Sequence, residues 1–260
     1  MSQDVKSAVK LAASLVFSYA SVVAAYAADA PQPVIQAELA NESSRLSNGS
    51  PDWRETSVRL TQKLGQRNVR SMGLSQTSRF GVQDHEISGL LSLPVTDKLT
   101  ASFEGSFSPT HRVLARQSVA ATMQYEFVPT WIAHVGLGNR RYDATNVDSA
   151  VLMLEHYFSS FSASAAWKPV RAAGINAAST ELRGSYYYGD ANSIGIILSS
   201  GSEVTTLGPN SVVLTDVNAA ALLGRHWINR QWAVNYALSQ TKQGAFYTRT
   251  SGRLGVQYIF

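Results

Sequence analysis

The 260-residue chain has no cysteine. Disulfide staples and thiolate-ligated metal sites are therefore excluded. Charge is scarce: 15% of residues are Asp, Glu, Lys or Arg, against about 25% in an average soluble domain. Hydrophobicity does not replace it, since mean hydropathy is −0.08. Beyond residue 27 no apolar run approaches the ~18 residues of a membrane-crossing helix. Disordered chains are charge-rich and aromatic-poor, whereas this one holds 11 Tyr, 9 Phe and 5 Trp. The net charge of +4 gives no basic footprint for nucleic acid.

The N-terminus carries a targeting pattern. Lys6 and Lys10 precede an apolar stretch from Leu11, which ends in Ala25-Tyr26-Ala27. A basic start, an apolar middle and a small-x-small cleavage site predict a secretory signal over 1–27, cut after Ala27. The mature chain then keeps a charge of +3, because Lys6, Lys10 and Asp4 leave with the signal. Residues 28–33 are expected to be a short disordered lead-in to a single domain ending at 260.

What is present is alternation with a period of two, the pattern of strands. Over 98–108, Leu99, Ala101, Phe103, Gly105 and Phe107 share one face, while Lys98, Thr100, Ser102, Glu104, Ser106 and Ser108 share the other. The same split recurs over 118–127, 160–168, 231–239 and 251–260. Less regular segments lie at 34–42, 54–63, 67–77, 84–93, 130–141, 147–157, 180–188, 192–200 and 212–224. The total is about fourteen strands, or twelve if 34–42 and 67–77 are discounted. Each is near the ~9–11 residues that a tilted strand needs to cross a bilayer.

The connections are expected to alternate between short turns and longer links at 43–52, 78–83, 108–112, 142–146, 169–179, 201–211 and 240–246. That parity fits a transmembrane barrel with short periplasmic turns and longer external loops. Apolar side chains outside and polar ones inside average to near-zero hydropathy. Aromatics near strand ends (Phe107, Phe127, Trp131, Phe158, Phe161, Trp167, Tyr186, Tyr188, Trp227 and Trp232) are candidates for interfacial girdles. The expected fold is an all-β, antiparallel transmembrane barrel of about 12–14 strands in the bacterial outer membrane, surrounded by outer-membrane lipids.

The C-terminal strand presents Leu254, Val256, Tyr258 and Phe260 on one face. An aromatic terminus with apolar residues at steps of two resembles the final-strand signal of outer-membrane barrels, which implies recognition by the barrel-assembly machinery. The chain from about 34 to 260 also resembles the YaiO family of outer-membrane β-barrels. The resemblance rests on Val113-Leu114-Ala115-Arg116-Gln117 opening an alternating strand. A Gly- and Arg-bearing strand follows, with Gly136, Gly138, Arg140, Arg141 and Tyr142, and then Asp143. It implies an association with export or presentation of surface polysaccharide.

Charges on the predicted inward faces are the candidate functional residues: Arg59, Glu86, Glu104, Arg116, Glu126, Arg140, Glu155, Glu181, Arg183 and Arg253. Inside an apolar-walled barrel a charge is tolerated where it is solvated or paired. Two interpretations are open, an interior network that braces the wall and a polar conduit for sugars or ions. Pairing among Arg116, Glu104 and Glu126 is expected from adjacent strands. A lipid-modifying hydrolase or acyltransferase is the alternative class, with His111 and His226 as its bases. A structural or adhesive barrel is the third. No cofactor is expected. Glu155 and His156 are adjacent on a strand and point to opposite faces, so they cannot share a metal. Gly136-Leu137-Gly138 lacks the third glycine and the helix of a dinucleotide fingerprint.

Overall fold

The computed structural model describes residues 33–189, 191–206 and 212–260. The signal segment and its Ala25 and Ala27 cleavage residues lie outside the described residues. Fourteen strands form: β1 (Val34–Leu46), β2 (Trp53–Lys63), β3 (Val69–Arg79), β4 (Val82–Pro94), β5 (Leu99–Phe107), β6 (Gln117–Val128), β7 (Trp131–Arg141), β8 (Asn146–Phe158), β9 (Phe161–Ala172), β10 (Ile175–Tyr188), β11 (Asn192–Thr206), β12 (Val212–Trp227), β13 (Trp232–Gln243) and β14 (Tyr247–Ile259). Each pairs antiparallel with its sequence neighbours, and β14 closes on β1. Closure leaves no sheet edge through the middle of the wall. At ~4.8 Å between strands and a tilt near 40°, the backbone radius is on the order of 13 Å, too wide for wall side chains alone to fill.

The two segments least regular in sequence, 34–42 and 67–77, are the strands β1 and β3. Several strands run further than alternation indicated. The expected long links at 78–83 and 169–179 shrink to the two-residue turns Phe80-Gly81 and Ala173-Gly174, with φ of 51° and 77°, and 50° and 79°. Positive φ at both positions makes these the hairpin turns whose twist matches the strands. The link at 240–246 shortens to 244–246. The cause is that these ends carry polar residues on both faces, such as Arg171 and Asn176 outward and Ser179 inward. The hydropathy alternation stops there while the hydrogen-bond ladder continues. The longest link is 108–116, between β5 and β6.

The outer face is apolar through mid-strand, with Leu39, Leu60, Met72, Leu74, Val119, Leu137, Leu182 and Leu254 all exposed. Near the end where β1 begins and β14 finishes, an aromatic belt runs around β7 to β14. Trp131 stacks on His156 at 4.0 Å, Phe158 on Phe161 at 5.9 Å and Tyr186 on Tyr188 at 5.6 Å. His226 stacks on Tyr236 at 5.4 Å, and Trp232 meets Tyr258, which meets Phe260. On β2 and β3 the outward positions at the same end are Gln62 and Arg70 instead. Trp227, expected in the girdle, faces inward, because it shares the parity of Arg225 on β12. A charge on the outer face should be costly: Leu137→Arg should lower the unfolding free energy in lipid by about 2–4 kcal/mol. The inward Gln124→Arg should lower it far less. Urea titration of the barrel in vesicles measures both.

Candidate functional site

The inner wall is polar, and carboxylates organise it. Glu181 on β10 is 2% exposed. One of its oxygens accepts from Lys168 of β9 and the other from Arg183, two residues along its own strand. Glu38 of β1 accepts from Arg253 of β14 at 2.8 Å and from Asn235 of β13 at 3.1 Å. Glu155 of β8 meets His134 of β7 at 3.2 Å. Between these, small side chains keep the strands close. Gly136 faces inward, where a Cβ would fall 2.8 Å from Thr122 Oγ1 and from Val151 Cγ1.

The opposite end, where β1 finishes and β14 begins, is crowded. Trp53 is 3% exposed and carries two guanidinium groups over its ring, Arg79 at 5.0 Å and Arg249 at 5.2 Å. Arg79 reaches Glu55 at 3.6 Å. Tyr247 and Phe80 meet Trp53 edge-on at 6.0 and 5.2 Å. In the link 142–145, burial pushes the Tyr142 phenol above its ordinary pKa.

Two further elements occupy this mouth. The link 108–116 is held by Asp84 of β4, which is fully buried. The Asp84 carboxylate accepts the N–H groups of Val113 and Leu114, the second at 2.9 Å, and Arg112 lies 3.6 Å away. Val113, Leu114 and Ala115 are buried as a result. Asp84→Ala should cost about 1–3 kcal/mol, because two buried donors lose their acceptor. The folded variant should become sensitive to trypsin at Arg112 and Arg116 while the wild type resists, as limited digestion with mass spectrometry would show.

The second element is the outer part of the β11–β12 hairpin. Pairing of β10 with β11 stops at Ser179 and Gly201, and ladder pairing of β12 with β13 stops at Val217 and Gln243. Beyond those points β11 and β12 pair only with each other, up to Thr206 and Val212. Gly201 has φ 138°, and a Cβ there would lie 2.5 Å from Ala178 O and Ser179 Cα. The hairpin therefore bends away from the wall at a point where only glycine fits. Val204 and Leu214, on its outward parity, pack against Val147, Val170 and Ala172 of the β8–β9 wall and against Tyr142. Val213, on its inward parity, packs against Trp53, Tyr247 and Leu46 on the β14–β1–β2 side. The hairpin thus crosses the mouth between opposite walls.

The structure places the candidate charges as follows. Glu181 and Arg183 are bonded to each other, Arg253 to Glu38 and Glu155 to His134. Glu86 accepts from Ser106 at 2.8 Å. Arg140 lies within electrostatic reach of Glu86 and Tyr142. Arg59 stands opposite Glu38 on the inward parity of β2 and is exposed. The expected association of Arg116, Glu104 and Glu126 does not form. Arg116 is exposed and precedes β6, Glu104 sits opposite Ala120, and Glu126 accepts the Thr130 N–H at a turn at the other end. Adjacent strands do not suffice, because ~3.3 Å per residue puts Ala120 and Glu126 about 20 Å apart. Sequence reasoning missed Glu38, Lys168, Glu55, Arg79 and Asp84. Lys168 was legible on the polar face of 160–168, and Glu38 by the same parity rule on 34–42.

The candidate bases do not meet a serine nucleophile. The ring of His111 takes the Ser108 carbonyl at 3.0 Å and Asp143 at 3.1 Å, while the Ser108 hydroxyl accepts the His111 main-chain N–H. His226 faces outward between Tyr188 and Tyr236, as part of the aromatic belt. Among the described residues, no group of three or more His, Asp or Glu is placed to hold a metal ion.

A family model described as the YaiO membrane beta barrel domain matches residues 35–205. Several solved structures share the fold. The CymD monoaromatic hydrocarbon channel superposes with a TM-score of 0.61 at 10% identity, covering 88% of each chain. The outer-membrane protein Omp33 of Acinetobacter baumannii gives 0.53 at 11% identity, over 87% of this chain and 99% of its own. The anion-selective porin of Comamonas acidovorans gives 0.50 at 10% identity, over 88% and 99%. No curated protein matches the sequence.

Proposed function

We propose a function from one premise: the chain belongs to the YaiO membrane beta-barrel family and is a bacterial outer-membrane barrel. The function is a gated conduit that supports passage of small polar solutes, or export or presentation of surface polysaccharide. One observation carries this. A polar, charge-lined lumen meets at its far mouth a hairpin that has left the wall ladders and packs across the opening between opposite walls. A barrel meant only to be braced has no need of a barrier that bends in at a glycine. The paired carboxylates Glu181 and Glu38 brace the wall around the path, so bracing and conduction use different residues.

The apolar face is in contact with outer-membrane lipid. The last strand, with Leu254, Val256, Tyr258 and Phe260 outward, is the segment the assembly machinery is proposed to read. If a Phe260 deletion inserts undiminished, that role is wrong. The conduit itself is tested by planar-bilayer recording with neutral and acidic oligosaccharides on either side. Discrete conductance steps and sugar-dependent block are expected. Silence at every voltage, with no sugar response, would count against conduction and favour a purely structural barrel.

A further inference from the structure

The outer wall of β1 to β5 carries a groove of about 740 Å³. Its floor is the main chain of Gly89 and Gly105, which stand opposite each other on β4 and β5 with outward parity. Met72 of β3 pairs with Gly89 and closes one side. Leu91 and Phe103, opposite each other two residues along, close the side toward the end where β1 begins. The fold does not require glycine at either floor position. A Cβ at Gly89 would meet the Ser71 carbonyl oxygen at 3.8 Å, and one at Gly105 the Ser118 carbonyl oxygen at 3.6 Å, both ordinary contact distances. The outward glycines Gly224 and Gly252 instead lie under side chains, those of Tyr236 and Leu238. Gly184 is open but single, between Ala163 and Ile196. Paired bare glycines in a strand interior mark a place where another molecule approaches the main chain.

The groove is polar at one end. Arg70 of β3 stands opposite Leu91 and beside Gln62 of β2, and both line it. Their height is fixed by the ladder. Gln62 pairs with Ile35 of β1, and the Ile35 carbonyl accepts the N–H of Phe260, in the aromatic belt, at 3.0 Å. Arg70 therefore lies at the level where hydrocarbon gives way to lipid headgroups. It is exposed, and no outward position on β1 to β5 carries Asp or Glu. Lipid tails are as apolar as the side chains they touch, so apolar contact alone selects no lipid. Shape and charge can select one. The groove supplies the first, and a guanidinium with no carboxylate on its face supplies the second.

We propose that this groove docks one anionic phospholipid of the periplasmic leaflet. Its phosphate sits on Arg70 and Gln62, and one acyl chain lies over Gly89 and Gly105 against Met72 and Phe103. The guanidinium takes phosphate oxygens through two parallel N–H donors, and the Gln62 amide adds another. The leaflet follows from the turns. Links at this end include the two-residue turns 129–130 and 159–160, whereas the longest link, 108–116, is at the other end. The site rests on the outer wall lying in lipid and does not require that the barrel conduct.

The test is native mass spectrometry of the mature barrel, refolded in neutral detergent and titrated with phosphatidylglycerol, phosphatidylcholine or lipid A. Folding of every variant is verified by heat-modifiable gel migration. One phosphatidylglycerol per barrel should be retained at concentrations where phosphatidylcholine is not. Arg70→Gln should weaken this binding about fivefold, the worth of one cation beside an anionic lipid. Gly89→Phe, which fills the groove and keeps the cation, should weaken it at least as much. Arg54→Gln, at the opposite end of the same outer face, should match the wild type. Equal retention of all three lipids, a preference for lipid A, or equal binding by wild type and Arg70→Gln overturns the site. Flotation with phosphatidylcholine vesicles tests the lipid-facing wall separately: a barrel that inserts yet retains no phosphatidylglycerol keeps that wall in lipid and loses the site.

Discussion

A barrel lacking residues 203–213, with its shortened strands joined by Gly-Gly, should conduct severalfold more than the full chain. The deletion takes the ends of β11 and β12 that have left the wall, and it leaves the pairing of β11 with β10 and of β12 with β13 intact. What disappears is the apolar bridge from Val213 against Trp53 and Tyr247 to Val204 against Val147 and Ala172. The increase should fall short of an empty barrel, because the link 108–116 and the stack of Arg79, Trp53 and Arg249 stay in the mouth. Single-channel recording reads the change directly. Unchanged conductance would mean that the hairpin obstructs nothing. Gly201→Val offers a subtler route to the same state, because a Cβ at this φ collides with the β10 main chain and the hairpin must move or unfold.

Glu181→Gln should be the most destabilising single substitution in the lumen, costing about 3 kcal/mol or more. Glu181 is nearly fully buried and serves two cations, so neutralising it leaves Lys168 and Arg183 together without their counter-charge. Replacing all three at once, with Lys168→Met, Glu181→Leu and Arg183→Met, should cost much less, since a buried ion cluster exchanged for apolar side chains is often neutral. Equilibrium unfolding in urea would show the contrast. If the single and triple variants are equally unstable, stranded charge is not the source of the damage.

The barrel was legible from residues because lipid and lumen impose opposite demands on successive side chains. Leu99, Phe103 and Phe107 outward against Thr100, Ser102 and Ser106 inward is that demand written out. The pattern fades where strands rise clear of the membrane. Arg171, Asn176 and Ser179 therefore looked like loop, although their ladders continue. The hairpin was hidden for a related reason. Its expected link, 201–211, held one clue in Val204, an apolar residue with no obvious place in a solvent loop. Single inward charges could be placed by parity, but their partners could not. Partnership depends on register, and register puts Glu181 beside Lys168 while it separates Glu104 from Glu126.

The aromatic belt closes around β7 to β14 and gives way to Gln62 and Arg70 on β2 and β3. One molecule thus offers the bilayer two hydrophobic heights, taller beneath the rings and shorter beside the polar pair. Lipid cannot follow both without adjusting, so the leaflet beside β2 and β3 thins or the barrel axis leans toward that side. Lys63, whose charge faces the lumen at this same end, then sits on the flank where the membrane is thinnest and the path from water to the lumen is shortest.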